Sequence, residues 1–133
     1  MKRAKLTVET DERSQVVLLR SRVEDALGKL GAAEGLCHLW CPHTTAGLTV
    51  NEGDDPDVAS DFLNYLDRLV PWNGGYRHAE GNEAAHIKAI LVGASVTVPV
   101  TGGRLGLGTW QDVYLCEFDG PRRRTVELRF LLG

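Results

Sequence analysis

The stretch Leu36-Cys37-His38-Leu39-Trp40-Cys41-Pro42-His43-Thr44-Thr45-Ala46-Gly47-Leu48-Thr49-Val50-Asn51 contains two β-prone runs separated by a proline. Proline has no backbone N–H and does not continue a central strand, so the first run is expected to end before Pro42. The second run resumes as a strand from Ala46 to Asn51. His43 therefore lies at a junction between two strands, where side chains face a cleft more often than a core.

Three helices are predicted, one before these strands and two after them. Apolar residues at helical spacing predict one from Ser21, as its N-cap, to about Leu30, and Gly31 is suited to end it. Asp54-Asp55-Pro56 predicts the start of a second helix that runs to about Leu69, because Asp is favoured at the N-cap and Pro at the first helical position. Asn82 is expected to cap a third helix that ends near Val92.

Further strands are predicted at both ends of the chain. Leu6–Glu9 and Val16–Leu19 are expected to pair as a hairpin through a turn at Asp11-Glu12-Arg13. A second hairpin turn is expected at Thr101–Arg104. The remaining predicted strands are Ser95–Val100, Val113–Phe118 and Thr125–Leu131. Strands at both ends with three helices between them predict a single α+β domain over residues 1–133, with a largely antiparallel sheet.

Composition excludes several classes of function. The 133 residues are 43% hydrophobic and 25% charged, with a net charge of −3, which gives no general attraction to nucleic acid or to anionic membranes. No segment approaches the roughly 20 apolar residues of a membrane span. The basic N-terminus lacks the apolar core of a signal peptide, so a cytoplasmic location is expected.

The three cysteines argue against a disulfide framework. Cys37, Cys41 and Cys116 are odd in number and contain no CxxC pair. Cys37 and Cys41 are four residues apart in a predicted strand and share a face, which favours two small buried apolar side chains. Thiolate ligands beside His43 are the alternative.

Three of the four histidines lie in polar segments: His43 at the strand junction, His78 in a loop of about ten residues, and His86 near a helix start. Three neutral imidazoles that meet in space make a divalent-metal site with an open position. Their spacing is not a compact metal-binding pattern, so spacing alone does not establish that they meet. His38 lies within an apolar strand and is expected to be structural.

Several other residues are candidates for chemistry. Glu52 follows a strand and is either a general base, a partner of a ligating imidazole, or a solvated acid. The glycines of residues 102–108 lack the Gly-Lys-Ser/Thr ending of a phosphate loop and favour close approach of a ligand or a subunit. Trp110 and Gln111 could supply a stacking surface and an amide. Residues 122–124 are three arginines, which form a solvated turn or bind an anion, and Arg77, Lys88 and Arg104 are further anion candidates.

Five ordered motifs carry a resemblance over about Val16–Leu132. They are His43-Thr44-Thr45-Ala46 with Asn51-Glu52, Asp55-Pro56-Asp57, Tyr76-Arg77-His78 with Glu80-Gly81-Asn82, Ala85-His86-Ile87-Lys88, and Leu107-Gly108-Thr109-Trp110-Gln111. Together they resemble the YjbQ family, also called UPF0047 or the secondary thiamine-phosphate synthase family. The resemblance implies an α+β fold, a homotrimer, and a metal pocket lined by His43, His78 and His86. It also implies that Glu52 and Gln111 lie close to that pocket, with catalytic roles.

The resemblance implies an enzyme that joins a pyrimidine diphosphate to a thiazole phosphate and releases diphosphate. A leaving diphosphate needs cations, which a metal together with Arg77, Lys88 or Arg104 would supply. Three histidines favour zinc, with magnesium as the alternative. Two other functions stay open: a zinc-dependent hydrolase or isomerase of a small metabolite, and a non-catalytic trimeric module that binds a metabolite or a metal. A small phosphorylated metabolite is the expected partner, and no nucleic acid or membrane is expected.

Overall fold

The β-strands form two antiparallel sheets, and the predicted α+β architecture with three helices is confirmed. The computed structural model describes residues 1–78 and 80–132. The elements in chain order are β1 (Lys2–Glu9), β2 (Gln15–Leu18), α1 (Arg20–Lys29), β3 (Gly35–Trp40), β4 (Ala46–Glu52), α2 (Pro56–Leu69), α3 (Glu83–Val92), β5 (Ser95–Thr101), β6 (Arg104–Leu105), β7 (Gln111–Glu117) and β8 (Arg123–Leu131). One sheet has the order β1-β8-β3-β5-β6 and the other β2-β7-β4.

The start of α2 is the one that its sequence predicts. Asp55 is the N-cap, its side chain accepts a hydrogen bond from the backbone N–H of Asp57 at 3.0 Å, and Pro56 occupies the first turn. The second predicted hairpin also forms, because β5 pairs with β6 through residues 101–104. Capping and tight turns depend on a few adjacent residues, so local sequence is enough to predict them.

The prediction that Ser21 caps α1 was wrong. The helix begins at Arg20, and its N-cap position is Leu19, which makes no side-chain cap. The carboxylate of Asp112 instead accepts a hydrogen bond from the Arg20 backbone N–H at 3.0 Å. A residue distant in sequence thus satisfies one of the free N–H groups at the helix start. At the other end, Gly31 adopts a positive φ of 65°, as a helix-ending glycine does.

The prediction of a hairpin between the first two strands was also wrong. β1 pairs with β8 in the five-stranded sheet, whereas β2 pairs with β7 in the three-stranded sheet. The intervening segment hydrogen-bonds to the β7–β8 connection: Thr10 N donates to Arg122 O at 2.9 Å, and Gly120 N donates to Arg13 O at 3.1 Å. The chain therefore crosses from one sheet to the other at the place where a turn was expected.

The two sheets enclose one apolar core, and the helices enclose another. The side chains of β7 alternate between them: Val113 and Leu115 face the core between the sheets, while Tyr114 and Cys116 pack in the cluster that α2 and α3 cover. This alternation follows from the two-residue period of a strand. Among the described residues, no helix has the length and apolar content of a membrane span.

Three connections cross between the sheets at the same end of the molecule. They are residues 10–14 after β1, 41–45 after β3 and 118–122 after β7. Phe118 N donates to Thr45 O at 3.1 Å, and Thr10 N bonds to residue 122 as described above. We call this the crossover end. The opposite end of the β4–β7 pair, where Glu52 faces Gln111 in the register, is called the far end.

Candidate functional site

A buried ion pair holds the crossover end together. Arg124 is 2% exposed and Glu117 is fully buried, and their side chains form a salt bridge in which Arg124 Nε donates to Glu117 Oε1 at 2.8 Å. Glu117 Oε1 also accepts from Thr10 Oγ1 at 2.8 Å, and Glu117 Oε2 accepts from Asp119 N at 3.0 Å. The bridge therefore reaches two of the three crossing connections. A buried pair of this kind is stable only when its polar atoms have further partners, as both oxygens of Glu117 have here.

The same arginine fixes the connection that carries His43. Arg124 Nη2 donates to Thr45 Oγ1 at 2.8 Å and to Thr45 O at 3.2 Å. The next residue along β8, Thr125, donates its backbone N–H to His43 Nε2 at 2.9 Å. Both the backbone near His43 and its imidazole ring are thus held by β8.

The surroundings of His43 lower the pKa of its imidazole, which favours the neutral form. Burial lowers its pKa, and the charges of Arg124 and, to a lesser degree, Arg122 lower the pKa further. The hydrogen bond from Thr125 and the charge of Glu117 act in the opposite direction without cancelling the shift. A neutral imidazole can bind a metal through a lone pair or serve in proton transfer.

Helix α3 brings His86 to the same region. The helix ends against β4, where Leu48 N donates to Gly93 O at 3.0 Å. A Cβ on Gly47 would lie 2.6 Å from that carbonyl oxygen, so a side chain at this position would displace the helix. A cavity of about 420 Å³ opens between the two elements, lined by His43 and Thr44 on one side and by His86 and Ile90 on the other. We call it the histidine groove.

The third histidine contacts His86. The rings of His78 and His86 meet edge to face with their centroids 5.0 Å apart. Two carboxylates flank His78: Glu80 Oε2 lies 3.8 Å from His78 Nε2, and Glu83 Oε2 lies 3.9 Å from His78 Nδ1. The loop and α3 thus gather two imidazoles and two carboxylates beside the groove.

These side chains are of the types that bind metals. Their distances are longer than those between the ligands of a bound ion. Zinc sites of two histidines and one glutamate are common, and tetrahedral zinc about 2.1 Å from each donor places the donors roughly 3.4 Å apart. The distances from His78 to Glu80 and Glu83 exceed that spacing by a few tenths of an ångström. Within residues 1–78 and 80–132, no group of three His, Cys, Asp or Glu side chains is positioned to hold an ion.

Glu52 and Gln111 do not share this region within one chain. They face each other at the far end, six residues along β4 from Ala46, which is about 20 Å of extended strand. The carboxylate of Glu52 accepts from Asp54 N at 2.8 Å and from Asp55 N at 3.3 Å. Gln111 Oε1 accepts from Gly108 N at 2.8 Å. Each side chain closes a local turn.

The three candidate anion-binding cations also lie in different places. Arg77 is exposed and directly precedes His78. Lys88 is 2% exposed, forms a salt bridge with Asp67, and lies 5.9 Å from the centre of the Phe118 ring. Arg104 pairs with Thr101 at the end of β5 opposite the groove. Of the three, Arg77 is the one placed beside the histidines.

Comparison with known proteins identifies the family. Residues 4–132 match the family described as UPF0047 protein YjbQ-like. UPF0047 protein YugU of Bacillus subtilis is 47% identical over 127 residues, which cover 95% of this chain and 96% of that protein. The chain belongs to the YjbQ family. A UPF0047 protein of Methanocaldococcus jannaschii, at 40% identity over 96% of this chain and 92% of its own, agrees with this assignment.

Solved structures confirm the YjbQ-like fold. An uncharacterized conserved protein of the YjbQ/UPF0047 family from Clostridium acetobutylicum superimposes with a TM-score of 0.93 at 43% identity, covering 96% of this chain and 99% of that one. A hypothetical protein from Aeropyrum pernix K1 gives a TM-score of 0.94 at 38% identity over the whole of both chains. These relatives establish the family and its fold and do not assign a reaction.

The surroundings of the three cysteines of this YjbQ-family chain indicate a structural role. Cys37, Cys41 and Cys116 are buried and unbridged. Burial raises the pKa of Cys37 and of Cys116 to about 12, and it also raises the pKa of Cys41. Thiolate is the form that binds metals, so this environment disfavours ligation beside His43. His38 stacks on Trp40 in β3, with ring centroids 6.5 Å apart.

Sequence reasoning missed the two residues that organise the crossover end. Arg124 was predicted to lie in a solvated turn or to bind an anion, and Glu117 was not singled out. The signal was present in the alternation of β8, where Arg124, Val126, Leu128 and Phe130 are buried. An arginine on the inward face of a strand requires a buried partner, and the acid at the end of β7 provides it.

Proposed function

We propose that this chain is a metal-dependent enzyme that acts on a small phosphorylated metabolite in the histidine groove. One observation supports the proposal most strongly: the edge-to-face pair of His78 and His86 lies beside a groove that His43 and His86 both line. Two histidines from separate segments of the chain thus line one cavity, and the third contacts one of them. Such a concentration of imidazoles has no structural need in a domain with two apolar cores of its own.

His78 and His86 are the proposed metal-binding pair, with a carboxylate of Glu83 or Glu80 as a further ligand. The donor types favour zinc, and magnesium is the alternative. A bound zinc would act as a Lewis acid and lower the pKa of a coordinated water toward about 7. His43 as a third ligand stays a prediction from the family resemblance.

The reaction that the family resemblance implies joins the pyrimidinylmethyl group of a pyrimidine diphosphate to a thiazole phosphate and releases the diphosphate. A specific observation favours a hydrolase as the second candidate. Lys88 is committed to Asp67, and Arg104 lies away from the groove, so one of the three proposed cations stays available for a diphosphate leaving group. Hydrolysis by an activated water needs fewer cations than the departure of diphosphate does.

A homotrimer would reconcile the positions of Glu52 and Gln111 with a role in catalysis. These side chains lie too far along the strands to reach the groove of their own chain. We propose that they serve the groove of a neighbouring copy. Light scattering on the purified protein tests this, because a stable monomer would leave both residues without a groove to serve.

The proposed activity is tested by comparing two histidine variants. Zinc-loaded protein is assayed for thiamine-phosphate formation and, separately, for hydrolysis of a panel of phosphoesters. His86→Ala is expected to abolish turnover while the protein stays folded, and His38→Ala, which changes a histidine in β3, is expected to keep it. Turnover in His86→Ala equal to that of the unmodified protein would contradict the proposal.

A further inference from the structure

The hydrogen bond to His43 determines which of its nitrogens carries the proton. The backbone N–H of Thr125 points at His43 Nε2 across 2.9 Å, and a carbon of the ring cannot accept such a bond. Nε2 must therefore present its lone pair. In a neutral imidazole the proton then resides on Nδ1.

This assignment leaves His43 without a free lone pair for a metal. A metal binds a deprotonated ring nitrogen, and a neutral imidazole has one. Here that lone pair accepts the Thr125 N–H. The ring and the chain around it are fixed by the buried bridge, since Arg124 holds Thr45 through two hydrogen bonds. For His43 to bind a metal through Nε2, the hydrogen bond from the Thr125 backbone N–H in β8 would have to break.

A fixed Nδ1–H beside the groove is suited to an anion. His43 and Thr44 line one side of the cavity, and both are accessible from it. The two arginines near His43 are each paired with an acid, Arg124 with Glu117 and Arg122 with Asp119, which leaves the imidazole N–H as the donor at this wall of the groove. An N–H donor held in one orientation at a cavity is suited to a negatively charged oxygen such as that of a phosphate.

We propose that His43 is a hydrogen-bond donor to the phosphate of the substrate, held as the Nδ1–H tautomer by the Thr125 amide, and that it is not a metal ligand. The inference rests on the proposed function of the groove and divides the three histidines into two roles. His78 and His86 bind the metal. His43 faces the substrate from the opposite side.

The tautomer is measured first, on the metal-free protein at neutral pH. Long-range proton–nitrogen NMR correlations of ¹⁵N-histidine protein distinguish a protonated Nδ1 from a protonated Nε2, and His43→Leu assigns the signal. We expect His43 to be neutral with the proton on Nδ1. A protonated Nε2 would overturn the inference. This readout requires no metal and no activity, so it stands even if the proposed function fails.

Binding is measured next, with inorganic pyrophosphate as the probe and calorimetry as the readout. His43→Leu is expected to weaken pyrophosphate binding by about ten-fold or more, the effect of one charge-assisted hydrogen bond. His43→Asn keeps an N–H near the position of Nδ1 and is expected to restore part of the loss. Unchanged affinity in His43→Leu, or no pyrophosphate binding by the unmodified protein, would overturn the donor role.

Zinc content separates this inference from the proposed function. His43→Leu is expected to keep the zinc affinity of the unmodified protein within about three-fold, while His86→Ala loses it. Loss of zinc in both variants would make His43 a ligand and overturn the inference. Absence of zinc from the unmodified protein would refute the metal site and leave the tautomer and pyrophosphate results to decide the role of His43.

Discussion

The two ends of the β4–β7 strand pair carry motif residues that are held in place in different ways. At the crossover end, Arg124 and Glu117 are buried and bonded to all three connections that cross there, and His43 is held by β8. At the far end, Glu52 and Gln111 accept hydrogen bonds from backbone N–H groups within three residues of themselves. One end is fixed by contacts between distant segments, and the other by local turns. A residue fixed by distant contacts can be held in one orientation at a cavity, which is what a binding site requires.

The largest effect on stability is expected from breaking the buried bridge. Arg124→Met leaves Glu117 buried without its partner, and the free energy of unfolding should fall by about 3–5 kcal/mol. The double variant Arg124→Met with Glu117→Gln removes both charges and should be more stable than Arg124→Met alone. Urea denaturation measures both. A loss under about 1 kcal/mol for Arg124→Met would show that the bridge does not hold the crossover end.

Acid is expected to destabilise the crossover end in two steps. Burial lowers the pKa of His43, so the unfolded chain binds more protons, and stability should fall as the pH drops below about 6.5. Burial raises the pKa of Glu117, but bonds from Arg124, the Asp119 amide and Thr10 outweigh it and hold the pKa below its ordinary value. The stability that this provides is present above about pH 4.5 and is lost as the pH falls through the pKa of the folded protein.

The two steps are measured as denaturation midpoints between about pH 8 and pH 3. The Arg124→Met and Glu117→Gln double variant should lose the lower step, because its residue 117 no longer titrates. His43→Leu should lose the upper step. An unchanged acid profile in both variants would place the titrating groups elsewhere in the molecule.

A smaller effect is expected at the far end. Glu52→Ala removes the acceptor for two backbone N–H groups in an exposed turn, and the free energy of unfolding should fall by about 1 kcal/mol or less. Glu52→Gln keeps an oxygen acceptor and serves as the matched control, with a loss smaller still. A loss for Glu52→Ala as large as that for Arg124→Met would remove the difference between the two ends.

Local sequence predicted the parts of the fold that depend on adjacent residues. Asp55 and Pro56 predicted the start of α2, and the strands on both sides of Pro42 formed as expected. The partners of β1 and β2 are not predictable in this way, because the choice between a hairpin and a crossing depends on strands that lie about 100 or more positions away. The Asp112 cap of α1 was missed for the same reason.

The candidate site shows the same limit. Residue types marked the three histidines as candidates, and in the fold His43 and His86 line one groove while His78 contacts His86. The hydrogen bond from Thr125 to His43 could not be predicted, because it joins residues 82 positions apart through a connection between sheets. The alternation of β8 indicates a buried Arg124, whereas the run of three arginines on its own favours a solvated turn.

Zinc affinity, measured by chelator competition on His86→Ala and Glu52→Ala side by side, tests the central difference between the two ends most directly. His86→Ala should lose more than about 100-fold in affinity, because loss of a residue that only supports a ligand already costs about 10- to 100-fold, and Glu52→Ala should bind zinc as the unmodified protein does. Zinc binding that survives His86→Ala unchanged would contradict a metal site at His78 and His86, and zinc binding that is lost in Glu52→Ala would contradict the difference between the two ends by making Glu52 a ligand.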